Sequence, residues 1–145
     1  MNLIKNRYKI VVNWGDCDPA GIVFYPNFYK WMDEAHWHYF KKIDQSILEL
    51  KKQYKIIGLP LLKTSGIYYK PCKQGDTLEI ETRLIELNNS SLRLQHIIYS
   101  KNLIASIGYE TRIWAKKKGT KISSYTIPAI VKDVLLKYLK NEIII

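Results

Sequence analysis

One stretch limits what this chain can become. Residues 13–40 read NWGDCDPAGIVFYPNFYKWMDEAHWHYF. Asn13 and Trp14 end a strand, and the chain then turns through Gly15-Asp16-Cys17-Asp18-Pro19-Ala20-Gly21. Glycines bounding an Asp-Pro pair are turn chemistry. A helix begins at Tyr25-Pro26. Proline suits that place because the first helical N–H groups have no helical acceptor to lose. From there Phe28, Trp31, Met32, Ala35 and Tyr39 recur at steps of three and four. That spacing is one apolar stripe of an α-helix, with Lys30, Asp33, Glu34 and Lys41 mostly on other faces. A strand, a tight turn and a long amphipathic helix therefore follow one another, and the helix needs a surface to lie on.

The chemistry lies where the turn meets the helix. Asp18 sits a few residues before the helix N-terminus. The first N–H groups of a helix point outward and carry partial positive charge. A carboxylate facing such groups can carry out acyl transfer: the N–H groups hold a carbonyl oxygen while the carboxylate attacks the carbon or activates water. Pro26 offers no N–H, so the donor is the backbone of Tyr25 or else of Asn27. The plainer use of Asp in such a loop is to shape the turn. Asp16 is expected to do that, and Cys17 to pack as a small buried residue. His36 and His38 are two apart and face different sides of the helix, so they form no metal pair and are expected at the surface or an interface. Glu34 is expected to be solvated, and His96 to be packed or hydrogen-bonded.

The rest of the chain is read in order. Residues 3–14 form a strand, with Tyr8, Ile10, Val12 and Trp14 alternating with Arg7, Lys9 and Val11. Asp44 caps a second, shorter helix through about Tyr54. Leu61 to Tyr69 is a strand that ends at Lys70-Pro71, and Gly75-Asp76 is a turn. Leu78, Ile80, Thr82 and Leu84 alternate with Glu79, Glu81 and Arg83 in the next strand. Asn88-Asn89-Ser90 is a hairpin turn leading to Leu92, Leu94, His96 and Ile98. After a turn at Asn102, Ala105, Ile107, Tyr109, Thr111 and Ile113 form the last long strand. Lys116 to Lys121 is a basic turn, more often solvated than a phosphate site. Pro128 starts a final helix with Ile130, Val131, Val134, Leu135 and Tyr138 inward. One long helix with an antiparallel meander is α+β. It leaves one sheet face and the sheet edges open, and dimerisation is the expected remedy.

Length and composition bound the alternatives. The chain has 145 residues, 47% of them apolar, which suits one domain over 1–145 with a real core. No stretch is apolar enough to span a membrane and the N-terminus lacks a secretory signal's apolar run, so no membrane association is expected. Two cysteines, Cys17 and Cys72, make neither a disulfide framework nor a zinc site. A reduced, cytoplasmic setting is the expectation. The formal charge is +10, but the lysines are scattered and no nucleic-acid motif is present, so no nucleic-acid partner is expected.

Gly15-Asp16-Cys17-Asp18-Pro19-Ala20-Gly21-Ile22-Val23-Phe24-Tyr25-Pro26-Asn27-Phe28 resembles the active-site motif of the 4-hydroxybenzoyl-CoA thioesterase family. Ile67 to Leu78 is similar to that family's second-strand turn, and the order of elements fits along roughly the whole chain. The resemblance implies a hotdog fold, a long central helix wrapped by an antiparallel β-sheet. It implies hydrolysis of a small acyl- or aroyl-CoA thioester, in a homodimer or homotetramer with active sites at subunit interfaces. Asp18 and Tyr25 fall on its catalytic positions, and Gly21, Phe24 and Asn27 on substrate-binding ones. No metal or cofactor is implied, because hydrolysis needs only water. A basic surface would attract the phosphates of coenzyme A, although Asn88-Asn89-Ser90 lacks the basic residues that the aroyl-CoA branch tends to carry there. The alternatives are a hotdog hydrolase acting on acyl-carrier-protein thioesters and a non-catalytic binding module for acyl carriers or nucleic acid. A hotdog dehydratase lacks its His-with-acid signature here.

Overall fold

The long helix begins at its proline: α1 runs Pro26–Lys42. The computed structural model of the chain describes residues 6–145, so residues 3–5 of the expected first strand lie outside the described residues. Strand β1 covers Arg7–Val11, and a short helix α2 spans Ile47–Tyr54. The main strands are β2 (Leu61–Tyr68), β3 (Thr77–Leu87), β4 (Ser91–Ser100) and β5 (Leu103–Ile113). They form one antiparallel sheet in the order β1-β3-β4-β5-β2. A small hairpin of β6 (Ala115–Lys118) and β7 (Lys121–Ser124) and helix α3 (Ala129–Leu136) complete the chain. One face of the sheet wraps α1, which is the hotdog arrangement.

The period-two pattern of β3 and β4 explains the wrap. Leu78, Ile80 and Leu84 of β3 and Leu94 and Ile98 of β4 are fully buried. They meet Phe28, Trp31, Met32, Ala35, Tyr39 and Phe40 of α1 in two core clusters along the helix. The Met32 side chain lies directly over Gly108 of β5. A Cβ there would lie 1.9 Å from the Met32 sulfur, so only glycine lets the helix settle this near the sheet. Overpacking such a point typically costs about 1–3 kcal/mol.

Some expectations are corrected. The row of β5 that lies under α1 is Ser106, Gly108, Glu110 and Arg112, opposite Ile98, His96, Leu94 and Leu92. Ile107, Tyr109 and Thr111 belong to the other face. A bulge between Ile98 and Tyr99 shifts the parity of the pairing, which keeps Ala105 in the core as well. Ser46, not Asp44, occupies the cap position of α2, because Asp44 sits at a positive φ of 57° in the preceding turn. Ile130 on α3 is 73% exposed, while Val131 and Leu135 are the residues turned inward. The outer sheet face is not left bare. Residues 139–143 cross it: the Lys140 N–H donates to Leu84 O at 2.8 Å, and the Gln95 side-chain amide pairs with both backbone groups of Ile143. Gln95 and Ile97 are thereby fully buried.

His36, expected at a surface or interface, is only 2% exposed. The polar row of β5 is the cause, since it draws polar partners from the helix above it. The Arg112 guanidinium donates to Asp33 Oδ1 at 2.8 Å, to the Leu59 carbonyl at 2.8 Å and to Glu110. Glu110 also pairs with His96 Nε2, and His96 Nδ1 meets Thr82 Oγ1 at 2.9 Å. Burial by itself would raise the Glu110 carboxyl, but His96 and Arg112 hold it down at about 2. Removing one member of a buried ion pair typically costs about 3–5 kcal/mol, because the other charge is stranded.

The same environment works against a charge on His36. Burial first, then the Arg112 charge, lowers its pKa from 6.5 to about 4, against an upward pull from Glu110 and Asp33. The unfolded chain therefore binds this proton at a higher pH than the folded one does. Stability from His36 is complete above about pH 6.5 and is lost as pH falls toward 4. Urea melts between pH 6.5 and 5 should show stability falling by up to about 1.4 kcal/mol per pH unit from this group. His36→Gln should flatten that slope. An unchanged slope in the variant would remove His36 as its source.

Candidate active site

The loop before α1 is fastened by its own backbone. Asp16 does the shaping expected of it. Its Oδ2 accepts the Asn13 N–H at 2.8 Å, and its carbonyl accepts the Phe24 N–H at 2.9 Å and Asn27 Nδ2 at 2.8 Å. Cys17 bridges Val23 as a short antiparallel pair and packs against the core, and the Val23 N–H donates to Cys72 O at 2.8 Å. The Cys72 thiol is buried and pushed up to about 11, so it stays neutral.

Asp18 plays two parts. One carboxylate oxygen, Oδ1, accepts the Ala20 N–H at 2.8 Å, and the Asp18 carbonyl accepts the Gly21 N–H at 2.9 Å. That is the turn role that its residue type favours, helped by Gly21 at a φ of +76°. Its other oxygen has no hydrogen-bond partner among the described residues. The side chain borders an open groove of about 600 Å³, with Trp14, Cys17, Gly21 and Gln74 on its walls.

The helix start decides between the two candidate donors. The Asn27 N–H donates to Phe24 O at 2.9 Å and its side-chain amide to Asp16, so Asn27 is occupied in holding the turn. Tyr25 takes the helical φ and ψ of −54° and −32° at the cap. Its N–H has no acceptor among the described residues. Tyr25 also lines a second groove of about 290 Å³, with Ile22, Val23, Phe28, Tyr68 and Cys72. The two grooves share no lining residue: the chain passes from one to the other between Gly21 and Ile22. Phe24 is half-exposed and edge-on to the Tyr25 ring at 5.5 Å. Trp31 is core rather than a groove wall.

Tyr68, from the edge strand, was not singled out by the sequence. Its ring lies 5.3 Å from Phe28, and only its place in the string Ile67 to Leu78 hinted at the site. The other acids and histidines of α1 are engaged elsewhere. Glu34 accepts the Tyr8 hydroxyl at 3.0 Å, and His38 lies beside the Tyr8 ring at 5.5 Å. Among the described residues no cluster of three or more His, Cys, Asp or Glu could hold a metal, and no helix is long and apolar enough to cross a membrane.

Comparison with known proteins matches this architecture. The family model described as the thioesterase-like superfamily covers residues 12–134. The 4-hydroxybenzoyl-CoA thioesterase of Pseudomonas sp. (strain CBS-3) is 28% identical over 128 residues, which are 81% of this chain and 88% of that protein. Its crystal structure superposes with a TM-score of 0.82, covering 88% of this chain and 96% of that one at 26% identity. The structure of a gentisyl-coenzyme A thioesterase is 36% identical, with a TM-score of 0.78, and covers 87% of this chain and 98% of that one. A 1,4-dihydroxy-2-naphthoyl-CoA hydrolase of Prochlorococcus marinus (strain NATL2A) is 27% identical over 93 residues, 60% of each chain. With one family model spanning most of its length and the hotdog fold beneath it, this chain belongs to the thioesterase-like superfamily.

Proposed function

We propose that this chain hydrolyses a small acyl- or aroyl-CoA thioester to the free acid and coenzyme A. One observation carries the reading. A single fastened loop presents a carboxylate oxygen without a partner at Asp18 and, at its far end, an N–H without an acceptor at Tyr25. In this reading the Tyr25 N–H binds the thioester carbonyl oxygen and stabilises the charge that grows on it. Asp18 attacks the carbonyl carbon, or takes a proton from a water that does, and the C–S bond breaks to release the coenzyme A thiolate. On the nucleophilic route, water then cleaves the acyl-aspartyl anhydride. The names of the relatives, three hydroxylated aroyl-CoA enzymes among them, support an aromatic acyl group. The +10 charge suits a substrate that carries phosphates. Free cysteines, Cys17 half-buried and Cys72 buried, suit a reducing compartment such as the cytoplasm.

The working unit is a dimer, and two dimers can join as a tetramer. Strand β2 is an open sheet edge, exposed at every residue but Gly66, and it displays Leu61, Leu62, Ile67 and Tyr68. Such an edge invites pairing with a second copy about a two-fold axis. The groove that holds Tyr25, Phe28 and Tyr68 borders this edge, so a partner would wall it in. Light scattering at micromolar protein should give at least twice the 17.1 kDa chain mass. A stable monomer would count against the pairing.

Asp18→Asn is the test of the chemistry. Asn keeps an oxygen to accept the Ala20 N–H, so the fold should survive. It is neither nucleophile nor base, so kcat for benzoyl-type CoA esters should fall by about 10²–10⁴-fold while KM changes little. Cys17→Ser should cost little. Near-normal turnover in Asp18→Asn, with loss in Cys17→Ser, would replace the carboxylate route by a thiol route.

A further inference from the structure

The smaller groove is lined by the Tyr68 phenol, which the chemistry above does not use, and the Tyr29 hydroxyl lies beside it. Tyr29 comes from α1 and Tyr68 from the edge strand β2, and their hydroxyls come together over Gly66. A Cβ at Gly66 would lie 3.1 Å from the Tyr68 hydroxyl oxygen and 3.5 Å from that of Tyr29. The φ at Gly66 is not positive, so the backbone does not require glycine there. What the missing side chain supplies is room for two hydroxyls.

The two hydroxyls are close enough to share a hydrogen bond, and neither is tied to any other described residue. Burial, then the Tyr29 hydroxyl, then Tyr25 raise the Tyr68 phenol above its ordinary range. Tyr68 therefore stays protonated at neutral pH and can both donate and accept. The remaining walls are apolar: Ile22, Val23, the Phe28 ring 5.3 Å from Tyr68, and the neutral thiol of Cys72. At about 290 Å³ the groove is near the lower end for small-molecule pockets and suits a single flat ring better than a long chain. A purely aliphatic group would leave the remaining hydrogen-bonding capacity of the pair unused and away from water, which is unfavourable.

Resting on the thioesterase reading, we infer that this groove takes the acyl part of the substrate, and that Tyr29 and Tyr68 together read a hydroxyl carried on its aromatic ring. The pair sets acyl selectivity. It leaves the carbonyl to Tyr25, which lines this groove, and to Asp18, which borders the neighbouring one.

The test is thiol release from benzoyl-CoA and from its 2-, 3- and 4-hydroxy derivatives, with wild type, Tyr29→Phe, Tyr68→Phe and the double variant. In wild type, one hydroxybenzoyl ester should exceed benzoyl-CoA in kcat/KM by about tenfold or more, as one well-placed hydrogen bond provides. Each single substitution should cut that ratio several-fold, and the double variant should bring it close to one. Phe keeps the ring and its packing, so a falling ratio reports the hydroxyl and not the fold. A wild-type preference for benzoyl-CoA, or a ratio unmoved in all three variants, overturns the inference and leaves the thioesterase reading standing. Failure of folded wild type to cleave any of the four esters overturns both.

Discussion

The buried guanidinium of Arg112 is what the rest of the molecule is fitted around. It sits on β5, bonds Asp33 of α1 and Glu110 of its own strand, and reaches the Leu59 carbonyl just before β2. A charge only 3% exposed is costly unless it is partnered; the two terminal nitrogens of Arg112 are, and its Nε has no partner among the described residues. The partners it recruits fix the rotation of α1 over the sheet. Close by, Met32 presses on Gly108, which sets how near the helix can come. With rotation and distance both fixed, the N-terminus of α1 has a defined place. The candidate site is built at that N-terminus.

The loop completes the construction by using up nearly all of its own polar groups. Asp16, Asn27, Ala20, Gly21 and Ile22 all bond within it. Among the groups left over are one oxygen of Asp18 and the N–H of Tyr25. An acceptor and a donor left over at the two ends of one turn suit a ligand that offers a partner to each. A thioester carbonyl does so: its oxygen accepts a hydrogen bond and its carbon accepts electrons.

Much of this was legible in the sequence. Pro26 and the apolar stripe from Phe28 to Tyr39 marked α1, and alternation marked β3 and β4, because each has one wet and one dry face. The turn that carries Asp18 and the helix start at Tyr25 were legible because turn residues and a helix-starting proline lie next to each other in the chain. The strand β5 was legible, but which of its residues face α1 was not. Apolar residues on both of its faces and a bulge at Ala105 hid the polar row that lies under the helix. Spacing places His36 on a face of α1 but cannot say that the strand beneath offers Glu110 and Arg112. The contact of Tyr29 with Tyr68 joins a helix to an edge strand far away in sequence, and no local pattern encodes it. The tail over Gln95 was hidden for the same reason.

The central claim is that the single unspent N–H at the start of α1 holds the reacting carbonyl. Replacing the Tyr25 amide N–H with an ester oxygen, by building in the α-hydroxy acid of tyrosine at that position, removes the donor and weakens the Phe24 carbonyl as acceptor of the Asn27 N–H. Because the lost N–H has no acceptor among the described residues and only that one bond is weakened, the melting temperature should fall only modestly. Turnover of the best hydroxybenzoyl-CoA ester should fall on the order of 10²–10³-fold in kcat, as the loss of one oxyanion donor does. Full turnover by a normally folded ester variant would contradict the claim and place the carbonyl oxygen elsewhere.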